Sequence, residues 1–485
     1  MKSILKAFYL LAILSGCSTA KESKLTINSD QIALFTSSDK EMEQAYNWAR
    51  HTALSYSHDG STDSVGPWYE AALPQREAFC MRDVSHQTVA GEILGLREQN
   101  LNMMTRFVEN MSDSKDWCTY WEINRQNKPA PVDYENDKEF WYNLNANFDI
   151  IFACLKLYNW TGNTAYLNDP AFTRFYETSL NQYIERWKLQ PDSLLKRPLK
   201  INSPEPFDPN NRFHVCRGLP SYVENFPGLT MSTDLIAALI GGHDAYSEIA
   251  RLNRKMDLST RYAAIAQRYR NTLDSIWWDE ANQGHYSFQA ADQTFHKGEA
   301  GTYLLWFNAI TEPERIRKEV EKMQLHNWNV ENLSHFPALF YRLGYPKEAY
   351  AELVSLPGKE RSEYPEVSYG VVEGVIGGAM GIEPRAESHT IFTIPRIQAG
   401  QWAEVNNVPV WNGYISVRHS SLRESEFTNN TGDAVTWRAS FPGYYEIINV
   451  DGQEKQAISI TDKLGNVTSY AEVKVDNGRS CKINI

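Results

Sequence analysis

The chain has 485 residues and a formal net charge of −12 at pH 7, and 42% of its residues are hydrophobic. This length allows one large domain and a smaller one. The acidic charge argues against nucleic acid or an anionic membrane surface as the main partner. Fourteen tryptophans and 26 tyrosines suit stacking on the apolar faces of sugars, although ordinary core packing accounts for most of them.

The amino terminus has the pattern of a secretory signal. Lys2 and Lys6 precede an apolar segment, Ala7–Leu14, which is too short to span a bilayer. The sequence Leu-Ser-Gly-Cys that ends at Cys17 resembles the lipobox of bacterial lipoproteins, in which the cysteine becomes the lipidated first residue. We therefore expect residues 1–17 to be a signal peptide with a lipobox and residues 18–40 to be a polar tether. The protein would then be held at the periplasmic or outer-membrane surface through its lipid anchor only.

Residues 41–385 show apolar positions that recur at helical spacing, with linkers rich in Gly, Pro, Asn and Asp. No strand-like run separates these segments, so the pattern predicts a mainly α domain. It favours a toroid of paired helices over an α/β fold. The predicted helices are Met42–Leu54, Asp83–Val108, Lys138–Leu157, Ala171–Trp187, Thr233–Ala250, Thr260–Ile276, Gly301–Ala309, Pro313–Met323, Phe336–Leu343, Lys347–Leu353 and Tyr369–Met380.

Residues 386–485 have a different composition, with short β-branched and aromatic runs separated by turn signals such as Asn-Gly and Asp-Gly. This pattern predicts a small C-terminal antiparallel β-domain. The predicted strands are Thr390–Pro395, Trp402–Val410, Tyr414–Arg418, Ala434–Ala439, Tyr444–Val450, Ala457–Thr461 and Ser469–Val475.

The stretch 73–87 places charged residues between a Gly-Pro loop and an apolar run, which predicts a polar site at the start of a buried helix. For Asp83, simple capping of that helix is the alternative to a role in the site. The ionisable residues of the stretch are Arg76, Glu77, Arg82, Asp83 and His86.

A second loop, residues 211–224, carries His214, Arg217 and Tyr222. Arginines bind carboxylates through two hydrogen bonds, so Arg217 with Arg76 and Arg82 would form a basic pocket for a uronic acid. His214 and Tyr222 would suit the base and acid of a β-eliminating lyase. Surface arginines and a helix-entry loop are the alternative.

A third region combines tryptophans with amides, which suits sugar faces and sugar hydroxyls. Packing and helix capping would explain it equally. Its candidate binding residues are Trp117, Trp121, Trp141 and Asn145.

A helical toroid followed by a β-domain resembles the six-hairpin glycosidases, whose core is an (α/α)6 barrel. Pro74-Gln-Arg-Glu77 followed by Asp83 is similar to the Asp-x-Pro-x-Arg-Glu…Asp stretch of bacterial α-L-rhamnosidases. The run from Tyr369 through Gly413-Tyr-Ile-Ser416 resembles the end of their barrel and the start of their C-terminal domain. The chain departs from the family at Ala72, where the family has an Asp. The large β-sandwich domains that precede the family's barrel are also not expected here.

The resemblance implies an exo-acting, inverting glycoside hydrolase that releases a terminal sugar from a rhamnose- or uronate-containing oligosaccharide or polysaccharide. It implies Glu77 as the general acid, and burial beside Phe79 would raise the pKa of Glu77 as an acid requires. Asp83 would hold sugar hydroxyls. Glu366 is the predicted base, with Glu373 as the alternative or a substrate-binding residue. No cofactor or metal ion is expected, since the cysteines form no Cys-x-x-Cys pair.

Two other functions fit the same residues. One is a polysaccharide lyase that acts by β-elimination at a uronic acid. The other is a surface lipoprotein that binds glycans without turning them over. The reaction products would distinguish the three, because a lyase leaves an unsaturated uronide, a hydrolase consumes water without forming one, and a binding protein forms no product.

Overall fold

The structure of the protein is a computed structural model, and it describes residues 29–73, 75–223, 228–325 and 327–485. The predicted signal peptide, Cys17, the first part of the predicted tether and Pro74 lie outside these ranges. In the described ranges, no helix combines the length and the apolar character needed to cross a bilayer.

Twelve of the helices in the described part of the chain alternate between two environments. Even-numbered helices are buried almost all round, as in α2, where Arg82 is the one residue that is not buried. Odd-numbered helices bury one stripe, as in α7, where the buried residues are Tyr262, Ala266, Tyr269 and Leu273 at helical spacing. The twelve are α1 (Lys40–Ser55), α2 (Met81–Ile93), α3 (Arg97–Glu109), α4 (Ala146–Thr161), α5 (Pro170–Thr178), α6 (Thr233–Leu252), α7 (Met256–Ile276), α8 (Gly301–Trp306), α9 (Pro313–Leu325), α10 (Val330–Leu343), α11 (Pro346–Ser355) and α12 (Pro365–Glu373).

The even-numbered helices contact one another in a closed ring. Helix α2 packs against α4, α4 against α6, α6 against α8, α8 against α10, α10 against α12, and α12 returns to α2. The odd-numbered helices pack against them, for example α1 against α12, α7 against α6 and α11 against α10. An inner ring of apolar helices covered by amphipathic helices explains the two burial patterns.

Several predicted helix bounds are wrong. The single helix predicted over Asp83–Val108 is two helices, because the chain turns at Gly95 with a φ of +81° that favours glycine. The first part of the helix predicted over Lys138–Leu157 is extended, and α4 begins at Ala146. Helix α12 begins at Pro365, earlier than predicted, because proline is well suited to the first turn of a helix.

Helices α5 and α12 continue into π-helical segments, Ser179–Tyr183 and Gly374–Ala379. Further short helices are Ser29–Gln31, Asp113–Lys115, Ala165–Asn168, Ile184–Arg186, Leu194–Lys196, Arg212–Cys216 and Leu356–Gly358. Short strands in the loops are Ser57–His58, Trp68–Tyr69, Tyr134–Asn136, Glu139–Phe140, Tyr142–Asn143, Arg217–Leu219, Leu229–Ser232, Trp278–Asp279, Gly284–His285, Phe288–Ala290 and Phe295–His296.

Most of the longer strands form the C-terminal β-domain. They are β1 (Leu34–Ser37), β2 (Ala78–Cys80), β3 (Glu122–Asn124), β4 (Glu383–Arg385), β5 (Thr390–Thr393), β6 (Ala403–Val410), β7 (Gly413–Ser421), β8 (Glu424–Asn430), β9 (Val435–Pro442), β10 (Ile447–Val450), β11 (Gln453–Gln456), β12 (Ile458–Thr461), β13 (Val467–Val475) and β14 (Arg479–Asn484). Strands β2 and β3 are the exceptions and pair with each other at the start of α2.

The β-domain has two sheets, with strand orders β1-β6-β7-β8-β14-β10-β11 and β4-β5-β9-β13-β12. Neighbouring strands are antiparallel except β5 and β9, which are parallel with Thr390 opposite Thr436. Phe427 of the first sheet stacks on Trp437 of the second at 5.2 Å between ring centroids. The predicted β-domain is therefore present, and the two sheets share a core.

The predicted tether over residues 18–40 is wrong in its last part. Leu34–Ser37 forms β1, an edge strand of the first sheet, with Leu34 opposite Asn406. Phe35 is buried and packs on Tyr46 of α1 at 5.2 Å. The alternating burial of this short strand is too brief a pattern to stand out in the sequence.

Candidate active site

The first two turns of the even-numbered helices, with one loop residue, Tyr222, form a buried polar cluster. Its ring contacts place His86 of α2 beside His335 of α10, with ring centroids 4.9 Å apart, and Tyr303 of α8 beside Tyr222 at 4.7 Å. We refer to these residues as the carboxyl cluster. Its members are Arg82, Asp83, His86, Asp149, Tyr222, Asp234, Tyr303, His335 and Glu366.

The start of α2 is held by the β2–β3 pair. Cys80 lies opposite Glu122 in that pair, and the Met81 amide donates to the Trp121 carbonyl at 2.9 Å. Helix α2 therefore begins with its first turn fixed. Asp83 lies in that first turn and His86 follows one turn later, so both point toward the interior of the ring.

Asp83 and Glu366 share one cation. The Arg82 Nε atom lies 3.0 Å from Asp83 Oδ1 and 4.0 Å from Glu366 Oε1. Neither oxygen of Glu366 accepts a hydrogen bond from a donor among the described residues. Arg82 is therefore the cation that the two neighbouring carboxyl groups have in common.

Burial raises the pKa of Glu366 well above its usual value, and the neighbouring Asp83 raises the pKa further. Glu366 lies in the first turn of α12, where the helix dipole alone would favour a charged carboxylate. The raised pKa favours the protonated form of Glu366, which suits a proton donor, whereas the predicted base has to be ionised.

Asp149 joins α4 to the neighbouring side chains. Its Oδ1 atom lies 3.4 Å from His86 Nε2, and its Oδ2 atom accepts a hydrogen bond from the Tyr222 hydroxyl. Burial raises the pKa of Asp149 well above its usual value and lowers the pKa of His86 well below it. Both groups therefore favour their uncharged forms.

Asp234 positions the loop that carries Tyr222. One Asp234 oxygen accepts from the Ser221 hydroxyl and from the Tyr222 amide, each at 2.8 Å. Burial raises the pKa of Asp234 to about 7, although these hydrogen bonds oppose the rise. Asn145, at the start of α4, also lies beside this carboxyl group. Asn145 therefore contacts the carboxyl cluster at Asp234.

Aromatic rings form the wall of the cluster. Trp306 of α8 lies 4.6 Å from the His335 ring and 5.2 Å from the His86 ring. Burial lowers the pKa of His335 to about 3, so this ring is neutral. A void of about 10 Å³, roughly the room for one water, separates Glu366 from Trp306 and the two histidines. An apolar wall beside a protonated carboxyl group is the environment of a general acid.

A second carboxyl pair lies at β3. Arg76 Nη1 donates to Glu122 Oε2 at 2.9 Å and lies 3.8 Å from Asp133 Oδ2. Burial and the adjacent Asp133 raise the pKa of Glu122 to about 8. Arg76, a predicted substrate-binding residue, therefore pairs with these two acids.

The predicted burial of Glu77 is wrong. Its side chain is 58% exposed and pairs with Arg125, with Oε1 and Nη1 2.6 Å apart. Glu77 has a φ of +51° and Gln75 a φ of +72°, both in the left-handed region. Neither residue is a glycine, so this backbone turn could not be predicted from the sequence. Phe79 is buried in the core and packs on Phe107 instead. The catalytic role of Glu77 stays a prediction, without the buried environment on which it rested.

The predicted basic pocket around Arg217 is also wrong. The Arg217 side chain is 0% exposed and forms an ion pair with Asp116, which also pairs with Arg186. Planar contacts with Phe140 and Trp187 enclose its guanidinium group. Arg217 therefore has a structural environment, apart from Arg82.

The remaining predicted binding residues lie outside the cluster or fill its surroundings. His214 Nε2 lies 3.2 Å from Glu139 Oε1, and its Nδ1 accepts from the Asp208 amide at 3.0 Å. Trp121 is buried against Tyr142, and the half-buried Trp141 donates to Asn143. Trp117 packs against the core from the surface, and Glu373 faces a separate cavity described below.

The cluster therefore brings together Arg82, Asp83, His86, Tyr222 and Glu366 from the predicted set. Sequence reasoning missed Asp149, Asp234, Tyr303 and His335, although the two aspartates have a local signal. Asp149 is a lone acid in the apolar run Phe148–Cys154, and Asp234 follows the N-cap Ser232 at the head of an apolar helix. A charged residue in such a helix is costly unless it has a use.

In the described ranges, no group of three or more His, Cys, Asp or Glu side chains is arranged to hold a metal ion. The chemistry of the cluster is that of carboxyl groups, phenols and neutral imidazoles around one arginine.

No protein-family model matches the chain, and a search of curated proteins finds no match. Solved structures share its fold at low identity. The α-L-rhamnosidase of Dictyoglumus thermophilum has a TM-score of 0.61 and 12% identity, over 93% of this chain and 50% of that protein. The GH78 rhamnosidase of Bacillus sp. GL1 has a TM-score of 0.57 and 12% identity, over 83% of this chain and 41% of that protein.

A sialidase has a TM-score of 0.51 and 13% identity, over 80% of this chain and 38% of that protein. This chain spans half or less of the length of all three proteins. The comparisons confirm the predicted rhamnosidase-like fold. Because a sialidase shares this fold, the fold does not identify the substrate.

Proposed function

We propose that this protein is a glycoside hydrolase built on an (α/α)6 toroid. The closed ring of six buried helices, covered by amphipathic ones, supports this architecture. The observation that carries the function is the buried Glu366 carboxyl group beside Asp83 and Arg82, at the inner ends of the ring helices, where its pKa is raised. Glycoside hydrolysis needs a carboxyl group that can deliver a proton to the leaving oxygen.

In this proposal Glu366 is the general acid. It donates its proton to the glycosidic oxygen as the bond to the anomeric carbon breaks, and it is left as a carboxylate beside Arg82. Water adds its oxygen to the anomeric carbon and gives its proton to a second carboxylate. Asp83 and Glu366 both lie beside Arg82. In this proposal they therefore share one side of the sugar, and the inverting base lies on the other face, about 6.5–9.5 Å away.

The second carboxylate can be found by chemical rescue. Replacement of an inverting base by alanine leaves room for azide, a small anion that attacks without needing a base. Among Asp149→Ala, Asp83→Ala and Glu77→Ala, the variant of the true base should regain turnover with azide and form a glycosyl azide. The other two should not respond.

We further propose that the enzyme acts at the end of a glycan and favours a neutral terminal sugar such as rhamnose over a uronate. Glu366 is buried, so a chain end reaches it more readily than a chain interior. Arg82, the cation of the carboxyl cluster, is already balanced by Asp83. A uronate would add an unbalanced negative charge to this buried site.

Product analysis tests the proposal. Purified protein is incubated with aryl rhamnosides, aryl uronides and acidic polysaccharides. A hydrolase releases a terminal sugar without ultraviolet absorbance. Formation of an unsaturated uronide would instead establish a lyase, for which Tyr222, His86 and Arg82 are grouped in one site. Retention of oligosaccharide with no product would establish a glycan-binding protein.

A pair of variants tests the assignment of the acid. Glu366→Gln keeps the shape of the side chain but cannot deliver a proton, so turnover of a natural disaccharide should fall about 10²–10⁴-fold. An aryl glycoside with an activated leaving group should lose much less. Glu77→Gln should lose less than about tenfold on either substrate, because its carboxylate is exposed and paired with Arg125.

The opposite ranking, with Glu77→Gln nearly inactive and Glu366→Gln active, would overturn this assignment and restore Glu77 as the acid. Thermal unfolding of both variants is the control. A variant that unfolds early reports a structural role for the residue and counts for neither assignment.

Cellular location is a separate proposal. We propose that the chain is a lipoprotein anchored through Cys17 at the periplasmic or outer-membrane surface. The lipobox-like sequence Leu14-Ser-Gly-Cys17 supports it, and a glycan-cleaving enzyme at that surface would meet its substrate directly.

A further inference from the structure

A second cavity, of about 370 Å³, lies at the opposite end of the ring from Asp83 and Glu366. We refer to it as the basal cavity. The carboxyl-terminal halves of α4, α10 and α12 meet the β-domain there. Its lining includes Lys156, Arg342, Glu373, Gly377, Glu383 and Arg396.

Three cations from different elements face the basal cavity. Lys156 of α4 lies 4.0 Å above the Trp306 ring, and Arg342 of α10 donates to the Leu305 carbonyl at 2.5 Å. Arg396, which follows β5, donates to the Gly378 carbonyl at 2.9 Å. In the described part of the chain, none of the three forms an ion pair with a carboxylate within 4.0 Å.

The acids of the basal cavity do not neutralise these cations directly. Glu373 lies close enough to influence Lys156 and Arg342 electrostatically, but it bonds to neither. Glu383 forms its ion pair with the exposed Arg385. With Arg385 and Glu383 paired, three cations and one acid, Glu373, leave an excess of positive charge facing the basal cavity.

Lys156 and Arg396 are half-buried, and desolvation lowers the pKa of Lys156 to about 8 and the pKa of Arg396 to about 10. Arg342 is exposed, although desolvation lowers its pKa as well. Half-buried cations without bonded counter-charges are costly, and a bound anion would offset that cost.

We propose that the basal cavity is a binding site for a small anion of about the size of an acidic monosaccharide, recognised through a carboxylate or phosphate group. The two arginines supply the planar donors that such groups accept. The volume of the basal cavity falls in the range of small-molecule sites. Trp306, buried beneath Lys156, closes one side of the basal cavity.

The basal cavity is distinct from the carboxyl cluster. Trp306 and Glu373 line the basal cavity on one side and the small void below Glu366 on the other. Asp83, Asp149 and Glu366 do not line the basal cavity. Anion binding at the basal cavity does not depend on glycoside hydrolase activity, so it can be measured whether or not the protein turns over a glycoside.

Calorimetric titration of the purified protein tests the site with D-glucuronate and inorganic phosphate as probes and D-glucose as the neutral control. At least one anion should bind and glucose should not. Binding of both anions would mean that charge alone is recognised. Binding of glucuronate alone would identify an acidic sugar, and binding of phosphate alone would identify a phosphorylated ligand.

Three variants locate the binding site. Lys156→Gln and Arg396→Gln should each weaken the anion at least about tenfold, since each removes a charged donor. Gly377→Met keeps every charge but fills the basal cavity, because a Cβ at Gly377 would meet just the Glu373 Cγ atom, at 3.8 Å. It should weaken binding as well. Lys318→Gln, on the surface of α9 and away from the basal cavity, is the matched control and should bind normally.

Two results would overturn the proposal. One is the absence of binding by either anion to the wild-type protein at millimolar concentrations. The other is binding that Gly377→Met and Lys156→Gln leave unchanged while both variants melt at the wild-type temperature. Glu366→Gln should retain the anion, so an inactive enzyme that still binds it would separate this site from the catalytic proposal.

Discussion

Glu366 and Glu122 are glutamates whose carboxyl groups are buried next to an aspartate, Asp83 in one case and Asp133 in the other. Each has an arginine at the edge of the pair, and in each the pKa is raised mainly by burial. Glu366 lies in the ring, whereas Glu122 lies in the β2–β3 pair that begins α2. Because the folded protein favours the protonated form of both residues, its stability depends on pH through each of them.

The pKa of Glu122 predicts a pH-dependent stability. With a folded pKa of about 8 and a usual value of 4.5, Glu122 keeps its proton in the folded protein but loses it on unfolding at intermediate pH. The raised pKa therefore stabilises the fold at low pH, and this stabilisation is lost as pH rises toward 8. The slope is at most about 1.4 kcal/mol per pH unit for one proton.

Urea unfolding at pH 5.5, 6.5 and 7.5 measures this slope. Between these values the free energy of unfolding should fall less steeply in Glu122→Gln than in the wild type. Glu135→Gln, at an exposed position in the same region, should keep the wild-type slope. Parallel lines for Glu122→Gln and the wild type would show that Glu122 is ionised in the folded protein.

At the scale of residues, part of the site could be predicted from the sequence. Asp83 and His86 follow a loop and precede an apolar run, and Glu366 follows Pro365, so each could be assigned to the start of a buried helix. His335 and Asp149 could not, because the position of one helix against another is not encoded in local spacing. Glu77 was placed wrongly because its backbone conformation is unusual for a residue with a side chain.

Among the elements, α10 and α12 pack closely at Gly370. A Cβ atom at Gly370 would lie 2.3 Å from the Ser334 carbonyl oxygen, a backbone atom that can move only with its helix. The absence of a side chain there sets the distance between the helix that carries Glu366 and the helix that carries His335.

Gly370→Ala should therefore destabilise the protein by about 1–3 kcal/mol, as overpacking does, and lower the activity by moving Glu366. Denaturant unfolding and turnover measure the two effects. Gly377→Ala is the matched control from the segment that continues α12, because its nearest new contact would be an ordinary 3.8 Å. Equal stability of the two variants would show that α10 and α12 can separate without cost.

Helix periodicity predicted most of the ring, since each long helix carries a repeated apolar stripe. Periodicity did not predict where the helices are interrupted. The chain turns at Gly95, where the Leu96 amide donates a hydrogen bond to the Gly91 carbonyl. This turn separates α2 from α3, which were predicted as one continuous helix. The short strands in the loops were missed because two or three residues are too few to show a period.

For the molecule as a whole, β1 joins the amino end of the described chain to the β-domain. The Ala33 amide donates to the Asn407 carbonyl at 3.1 Å, and the Tyr46 hydroxyl donates to the Ala33 carbonyl at 2.7 Å. Residues beyond the predicted lipid anchor therefore belong to the folded body from β1 onward.

Two truncations test this role of β1. Removal of residues 1–28 should leave stability unchanged, whereas removal of residues 1–38 deletes β1 with the buried Phe35 and should cost about 3 kcal/mol or more. Guanidinium unfolding of the two purified proteins compares them. Equal midpoints would mean that β1 contributes no stability to the β-domain.

The lipid anchor makes a prediction for the intact protein in the cell. Cys17→Ala removes the residue that would carry the lipid, so the protein should move from the membrane fraction to the soluble fraction. Radiolabelled fatty acid should mark the wild type and not the variant. Wild-type protein that is soluble and keeps its first residues would contradict the predicted location.

Strand β1 is made early in synthesis, but its partner β6 lies near the other end of the chain, with Leu34 opposite Asn406. Helix α1 likewise packs against α12, which is synthesised much later. Contacts between such distant segments form slowly. The part of the fold that is synthesised first can therefore be completed only after β6 has been made, and a chain interrupted before β6 leaves a strand edge open to aggregation.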